Sequence, residues 1–278
     1  VAARSASMTA GLYLRESGSR QQERFSPSMA SPYAGKPVTQ WADTTRDLVQ
    51  AHPLTLTIIH DAAQAAWARL WNTTVGDAAL GFPFAEADPP ATVVGYFFEK
   101  LFAKELATRL PGHWRGGKGS EKDLHCLSDV SKSVEMKASG QLGYKVYGNR
   151  SYGQQVENAD AAKKDKSGYY ITINFYGQTL TMLRFGWIDA DDWQAQKSPT
   201  GQMAGLGDDV YRYKLMTIPG PYILNGPVQL VEGAGPKAAT ELTAAGLTTI
   251  GQLVAAKTVP ARYAKLQAAA RERYKGLY

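Results

Sequence analysis

Three residues near the middle of the chain have side chains and a spacing that suit the hydrolysis of phosphate esters. Asp123 is followed after eleven residues by Glu135, and Lys137 comes two positions later. Side chains alternate faces along a β-strand, so Glu135 and Lys137 would share one face while the apolar residues beside them face the core. Mg²⁺ prefers carboxylate and water oxygens, often from one or two carboxylates plus the substrate phosphate. We therefore expect Asp123 and Glu135 to hold Mg²⁺, and Lys137 to orient or deprotonate the attacking water.

The pattern alone also fits a solvated hairpin with a surface ion pair, which contributes about 0–1 kcal/mol to stability. The sequence that follows, GYKVYGNRSYGQ, favours the chemical interpretation. It is rich in Arg, Asn, Gln and Tyr, whose side chains contact base edges and phosphates in DNA. The predicted DNA-binding residues in this segment are Asn149, Arg150, Ser151, Tyr152 and Gln154. The alternative is that they bind phosphate only, or that Asn149 caps a following helix.

Three short segments around these residues carry a resemblance to a known family. GSEKDLHC, SVEMKAS and GNRSYGQ, in that order, resemble type II restriction endonucleases of the PD-(D/E)xK superfamily, in particular its ScaI-type group. RFGWIDADDWQAQ and TGQMAGL fit the same group, so the resemblance covers roughly residues 55–225. It implies an α/β fold, namely that of a PD-(D/E)xK nuclease core. In such a core, a central mixed sheet has helices on both sides. The resemblance also implies Mg²⁺-dependent cleavage of double-stranded DNA at a short palindromic site.

A helix is predicted before Asp123, where VVGYFFEKLFAKELATRL has apolar residues at helical spacing and Thr92 is a suitable N-cap. Members of the superfamily often place a helix glutamate beside the metal. The resemblance therefore makes Glu99, four residues after Gly95, a predicted site residue. Glu105 stays open as an alternative, and for both the plain explanation is a surface glutamate.

A basic, glycine-rich turn, PGHWRGGKGS, separates this helix from Asp123. Arg115 and Lys118 in it are predicted to meet DNA phosphate, although the turn lacks the spacing of a nucleotide-binding P-loop. Two strands then follow as a hairpin. For Asp123 to lie directly opposite Glu135, the connection must contain an odd number of residues or a bulge.

Composition restricts the partners and the compartment. The chain has 278 residues and a net charge of +6, with a pI of about 9.2, which favours a polyanionic partner. No apolar run approaches the roughly 20 residues of a membrane span, so no membrane partner is expected. The single cysteine, Cys126, excludes an internal disulfide and a cysteine-rich zinc site, and it is predicted to be a core residue. We expect a cytoplasmic protein of a bacterium or archaeon.

Further elements follow from periodicity. Helices are predicted over residues 41–50 and 54–71 and after the GNRSYGQ segment, and a short helical piece near 210–215. YYITINFYG and QTLTMLRFGWI are predicted strands joined by a turn at residues 176–178. Asp189 is the predicted cap of a short helix, whereas a metal site formed with Asp191 and Asp192 is the alternative.

The C-terminal part carries a separate signal. Residues 230–256 resemble a helix-hairpin-helix module, with Gly233 and Gly235 in the hairpin and Lys237 opening the second helix. Backbone amides there can bind a DNA phosphate; the alternative is a helical hairpin used for packing or for dimer contact. The predicted organisation is a flexible or irregular basic arm (1–40), a nuclease domain (41–228) and this helical module (229–278).

The resulting prediction is a sequence-specific, Mg²⁺-dependent type II restriction endonuclease acting as a homodimer. Two alternatives remain open. One is a structure-selective repair or recombination nuclease of the same superfamily, and the other is a DNA-binding protein without catalytic activity. The sequence leaves open the recognition sequence, blunt or cohesive ends, and whether one or two metal ions act.

Overall fold

The structure, a computed structural model, describes residues 30–149, 166–195 and 203–278. The α-helices in these ranges are α1 (Trp41–Gln50), α2 (Leu56–Trp71), α3 (Ala91–Arg109), α4 (Pro236–Ala244), α5 (Ile250–Ala255) and α6 (Ala264–Arg273). The strands are β1 (Thr74–Val75), β2 (Phe82–Pro83), β3 (Trp114–Gly116), β4 (Leu124–Cys126), β5 (Val134–Ser139), β6 (Tyr147–Asn149), β7 (Gly168–Tyr176), β8 (Thr179–Ile188), β9 (Trp193–Ala195), β10 (Met203–Leu206) and β11 (Leu215–Thr217). Most of the predicted basic arm and of the predicted helix after GNRSYGQ lies outside the described residues.

A six-stranded mixed sheet forms the centre of the fold, with strand order β11-β8-β7-β5-β4-β3. β5 and β7 are parallel, and the other described neighbours in this sheet are antiparallel. The two longest strands, β7 and β8, form the predicted hairpin and are buried along almost their whole length. Burial on both faces explains why their sequences are nearly continuous apolar runs. The sheet confirms the predicted α/β class.

Register divides the sheet into two chemically different faces. Residues directly opposite each other in neighbouring strands point to the same face. Met136 aligns with Ile171 and then with Phe185, and this row belongs to the main apolar core. One position along, Lys137 aligns with Thr172 and then with Arg184. We call the first the core face and the second, which carries the predicted catalytic residues Glu135 and Lys137, the catalytic face.

The described α-helices pack mainly against the core face. Their buried apolar side chains, such as Ile59 of α2 and Phe98 of α3, belong to the same cluster as that face. The catalytic face is covered instead by a three-stranded sheet, order β6-β10-β9, and by a π-helical turn, Val210–Lys214. Their side chains form a second apolar cluster with Tyr170. Within the described ranges, short strands and this helical turn cover the catalytic face, and the predicted helix after GNRSYGQ lies outside them, so helices on both sides stay a prediction.

The C-terminal part packs onto the same core. A 3-10 turn, Pro221–Asn225, places Tyr222 against β8, where its hydroxyl accepts a hydrogen bond of 3.1 Å from the Leu183 amide. Buried residues of α4, α5 and α6 continue the core cluster. The domain boundaries stay a prediction, since the two parts share one continuous apolar core.

Local sequence signals account for several element ends. Thr55 caps α2 by accepting a 3.2 Å bond from the Ile58 amide. α3 begins at Ala91, one residue before the predicted cap Thr92, and its N-cap is Pro90. Pro90 has an extended ψ of 151° and makes no side-chain cap bond, so it stands outside the helix.

The acidic cluster at 189–192 is a helix cap, as predicted. Asp189 and Asp192 form a capping box around the 3-10 turn Ala190–Asp192. The ammonium of Lys214, which is 3% exposed, lies 2.8 Å from both carboxylates. That cation takes the place a metal would need, so the metal alternative at this cluster is wrong. Cys126 is buried and free, also as predicted. None of the helices in the described ranges is long and apolar enough to cross a membrane.

Candidate catalytic site

Asp123 and Glu135 lie directly opposite each other at the start of two neighbouring strands. β4 and β5 pair through Leu124 and Val134, and one step outward in this antiparallel register leads from Leu124 to Asp123 and from Val134 to Glu135. Residues 125–133 separate the two paired positions, which is the odd number that the sequence required. One Asp123 carboxylate oxygen also accepts a 2.7 Å hydrogen bond from the Met136 amide. This bond fixes the Asp123 side chain beside β5.

Lys137 completes the site from the same strand. Its ammonium lies 2.8 Å from a Glu135 carboxylate oxygen, and the side chains are 18% and 5% exposed. Val134 and Met136 on the other face are buried in the core cluster. The predicted alternation along β5 is therefore confirmed. A lysine and a glutamate this deeply buried are costly to desolvate, which disfavours the surface ion-pair alternative.

The three side chains are electrostatically coupled. The pKa of Asp123 is raised from 3.8 to about 6, first by burial and then by the negative charges of Glu135 and Glu99. The bond from the Met136 amide and the Lys137 ammonium act in the opposite direction. Carboxylates that repel each other in a partly desolvated place would be relieved by a divalent cation, so the donor set suits Mg²⁺.

The protein supplies only part of a metal coordination shell. Among the residues that the structure describes, no group of three or more His, Cys, Asp or Glu side chains is placed to hold one metal ion. Mg²⁺ keeps several waters and takes substrate phosphate oxygens, so two carboxylates are enough for it. Asp123 and Glu135 are the residues that would bind it.

Glu99 and Glu105 have different surroundings. Gly95 lets α3 approach β5, since a Cβ at that position would come 3.2 Å from the Ala138 Cβ. One turn later, Glu99 is close enough to Asp123 to raise its pKa, and it also pairs with Lys100 at 2.5 Å.

Glu105 faces elsewhere. It is buried and forms ion pairs with Arg69 and, at 3.6 Å, with Arg109. These pairs hold α3 to α2 and to itself. Glu105 therefore has a structural role in helix packing.

A groove of about 460 Å³ opens beside the candidate catalytic residues. Its lining includes Glu99, Lys137 and, from β6, Tyr147 and Gly148. β6 ends at Asn149, whose backbone pairs with Met203. The predicted recognition segment thus leaves from the rim of this groove. Arg150, Ser151, Tyr152 and Gln154 lie outside the described residues, and their predicted contacts stay predictions.

Arg115 and Lys118 occupy the glycine-rich turn beside the site. Arg115 makes a two-bond ion pair with Glu121, at 2.6 and 2.7 Å. That pair and the Lys118 amide lower the pKa of Glu121 to about 2. The Lys118 side chain is exposed. A phosphate at this turn would meet Lys118 directly, whereas it would compete with Glu121 for Arg115.

The C-terminal hairpin is exposed at the predicted positions. Gly233 has φ of +85°, a conformation that favours glycine, and Gly235 is the N-cap of α4. Gly233, Gly235 and Lys237 are all exposed. A single 3-10 turn, Val228–Leu230, stands before the hairpin, so the first half of the predicted helix-hairpin-helix is shorter than a regular helix.

One residue of the catalytic face was missed by the sequence reasoning. Arg184 stands in the middle of β8 and is only 6% exposed. A charged residue inside the apolar run TLTMLRFGWI was the available signal. Strand alternation alone could not show what the arginine meets.

Comparison with known proteins identifies the relatives of this chain. A family model described as ScaI restriction endonuclease matches residues 31–219. The chain is 36% identical over 198 residues to the type II restriction enzyme ScaI of Streptomyces caespitosus, an alignment that covers 68% of this chain and 84% of that enzyme. No solved structure matches. The family match includes all the proposed catalytic residues and ends before the C-terminal hairpin.

Proposed function

Because the chain belongs to the ScaI restriction endonuclease family and is therefore a type II restriction endonuclease, we propose that it hydrolyses double-stranded DNA with Mg²⁺ at Asp123, Glu135 and Lys137. The observation that carries this assignment is the register that sets Asp123 opposite Glu135, with Lys137 paired to Glu135 on the same face. The two carboxylates would hold the metal. When bound, Mg²⁺ would stabilise negative charge developing on the phosphate.

The residues of the chain contribute position and charge. The Met136 amide holds the Asp123 carboxylate in place, and Glu135 holds the Lys137 ammonium in place. An ammonium fixed in this way can orient a water beside the scissile phosphate and stabilise the negative charge that forms there. Glu99 adds negative charge next to Asp123, which increases the attraction of the site for a cation.

The DNA segment that specifies the cleavage site would contact the residues after β6. Asn149, Arg150 and Gln154 have side chains that bond bidentately to adenine or guanine in the major groove. The groove beside Lys137 is lined by Tyr147 and Gly148, directly before these residues. Recognition and hydrolysis would thus be connected by one short piece of chain.

A plasmid cleavage assay with and without Mg²⁺ tests the proposal. The wild-type protein should give discrete fragments with Mg²⁺ and none in EDTA. Glu135→Gln and Lys137→Ala should abolish cleavage while keeping most DNA binding, because each removes a group needed for the reaction rather than a phosphate contact. Near wild-type cleavage by Lys137→Ala would show that the assigned site is wrong.

Adding branched, flapped and linear duplexes to this assay separates the alternatives. A structure-selective nuclease would nick the branched or flapped substrates and leave the linear duplex intact. A DNA-binding protein without activity would shift the plasmid in a gel and cut nothing under any metal condition. Glu105→Gln is a useful control variant, since Glu105 is held by Arg69 and Arg109 and lies outside the proposed metal site.

A further inference from the structure

Arg184 is a buried cation on the catalytic face. Register aligns it with Thr172 and, one strand further, with Lys137. Neighbouring strands lie about 4.8 Å apart, so the Arg184 and Lys137 backbones are separated by roughly 10 Å. Thr172, which lies between them in this row, is fully buried, so Lys137 and Arg184 line two separate depressions of the surface.

The described contacts of Arg184 are with neutral groups. Its guanidinium donates 3.1 Å hydrogen bonds to the Tyr144 carbonyl and to the Asn174 side-chain oxygen. The rings of Tyr144 and Tyr211 lie 5.8 and 5.2 Å from it. Within the described ranges no Asp or Glu pairs with it, and burial lowers the pKa of Arg184. These contacts offset only part of the cost of burying a cation, and an anion from outside the chain would offset more of it.

Arg184 lines a cleft of about 540 Å³ that carries further basic residues. We call it the Arg184 cleft; its other charged residues are Lys145, Asp208, Arg212, Glu232 and Arg273. Lys145 lies 3.5 Å from Asp208, and Arg273 pairs with Glu232. Arg212 is exposed and, as far as the structure describes the chain, pairs with no carboxylate. The cleft thus holds four cations against two carboxylates, an excess of positive charge that suits an anion.

The cleft adjoins the C-terminal hairpin. A neighbouring depression of about 680 Å³ shares Tyr144, Glu232 and Arg273 with the cleft, and it is lined by Gly233 and Gly235. The Arg184 cleft and the exposed hairpin residues Gly233 and Gly235 therefore lie on adjoining parts of the surface.

We propose that the Arg184 cleft binds a phosphate of the DNA backbone next to the cleavage site. The inference rests on the proposed function, because it assigns this anion to the same DNA. Arg184 supplies a buried donor and Arg212 an exposed one. Contacts of this kind position the DNA and raise affinity for all sequences alike.

The salt dependence of DNA binding tests the proposal. Dissociation constants for a cognate duplex and an unrelated duplex are measured in EDTA over a series of KCl concentrations, for wild type, Arg212→Ala and Lys104→Ala. Each lost phosphate contact lowers the slope of log affinity against log salt by about 1. For Arg212→Ala, the slope on both duplexes should be smaller than that of wild type by about this amount. Lys104→Ala removes the same charge from an exposed position of α3, which packs on the core face, and it should leave the slope unchanged.

A second variant tests the floor of the cleft. Arg184→Gln should reduce the slope similarly, and its melting temperature shows whether the fold survives the substitution. If Arg184→Gln unfolds, Arg212→Ala still decides the matter. An unchanged slope for Arg212→Ala would overturn the proposal, while cleavage by the wild-type protein would leave the restriction activity standing. A wild-type protein that binds and cuts no DNA would overturn both.

A free anion is the other source of the same chemistry. Melting temperatures are compared in sodium phosphate and in sodium chloride at equal ionic strength. Stabilisation by phosphate that disappears in Arg212→Ala, together with an unchanged DNA slope, would identify a free anion as the ligand and overturn the DNA assignment. A reduced slope for Arg212→Ala supports a DNA phosphate as the ligand of the cleft, whether or not free phosphate also binds.

Discussion

Asp123 and Glu135 carry negative charges that oppose each other, and this has a measurable consequence for stability. The pKa of Asp123 is about 6 in the folded chain, against 3.8 for the unfolded residue. Between pH 4 and 6 the folded state binds the proton that the unfolded state has released, so stability falls as pH rises through this window. Above pH 6 the ionised carboxylate is a net cost to the metal-free protein.

Asp123→Asn should therefore stabilise the metal-free protein at pH 8, by an amount on the order of 1–3 kcal/mol. Unfolding in urea with EDTA measures it. The gain should vanish near pH 4, where Asp123 is protonated in the folded state. Mg²⁺ should stabilise the wild type more than the variant, since ligand bound to the folded state adds to its stability. Destabilisation by the substitution at pH 8 would contradict the assignment.

Arg150 is the residue for which base recognition is most directly testable, although it lies outside the described residues. A bidentate contact to guanine contributes roughly 1–3 kcal/mol of discrimination. Arg150→Ala should weaken binding to the cognate duplex by that amount and spare unrelated DNA. Competition binding with both duplexes provides the measurement. Equal losses on both would make Arg150 a phosphate ligand.

At the scale of elements, β5 connects the core to the chemistry. Its apolar face is packed against α3, and Gly95 permits that close approach by leaving room for Ala138. The same contact brings Glu99 to the site. The alternation of side chains along β5 therefore controls both the packing of α3 and the position of the proposed catalytic pair, Glu135 and Lys137.

The hairpin before α4 is the second element with a testable role. Gly233→Val and Gly235→Val should weaken binding to all DNA sequences about equally, because bulky β-branched residues hinder the close approach of a phosphate to the backbone amides. Gly246→Val is a matched control: Gly246 also has a positive φ, but it lies at the other end of α4. A change of sequence preference with total affinity retained would contradict a phosphate-only role.

At the scale of the whole molecule, one chain has one proposed active site and would cut one strand per encounter. A two-fold homodimer would place two such sites on opposite strands of a short palindrome. We expect a dimer under cleavage conditions, with both strands cut at symmetric positions. Sedimentation on cognate DNA and mapping of the cut positions would test this. A monomer that cuts both strands in one encounter would contradict the symmetric arrangement.

The sequence by itself determined the parts of the protein that depend on short-range order. Alternation along a strand predicted that Glu135 and Lys137 share a face, and their 2.8 Å contact confirms it. Turn and strand residues predicted the β7–β8 hairpin, and Asp189 was recognised as a cap. These features follow from neighbours within a few residues, and local geometry is already encoded there. The family resemblance also came from short segments.

Tertiary structure decided what long-range register and burial control. It showed that Glu99 approaches Asp123 whereas Glu105 is held by Arg69, although both stand on the same helix. It also placed Arg184 two strands from Lys137, beside the C-terminal hairpin that follows it by about fifty residues. Side chains so distant along the chain meet only when strands pair in one register and helices pack on one face. No local pattern contains that information, because it depends on the fold as a whole.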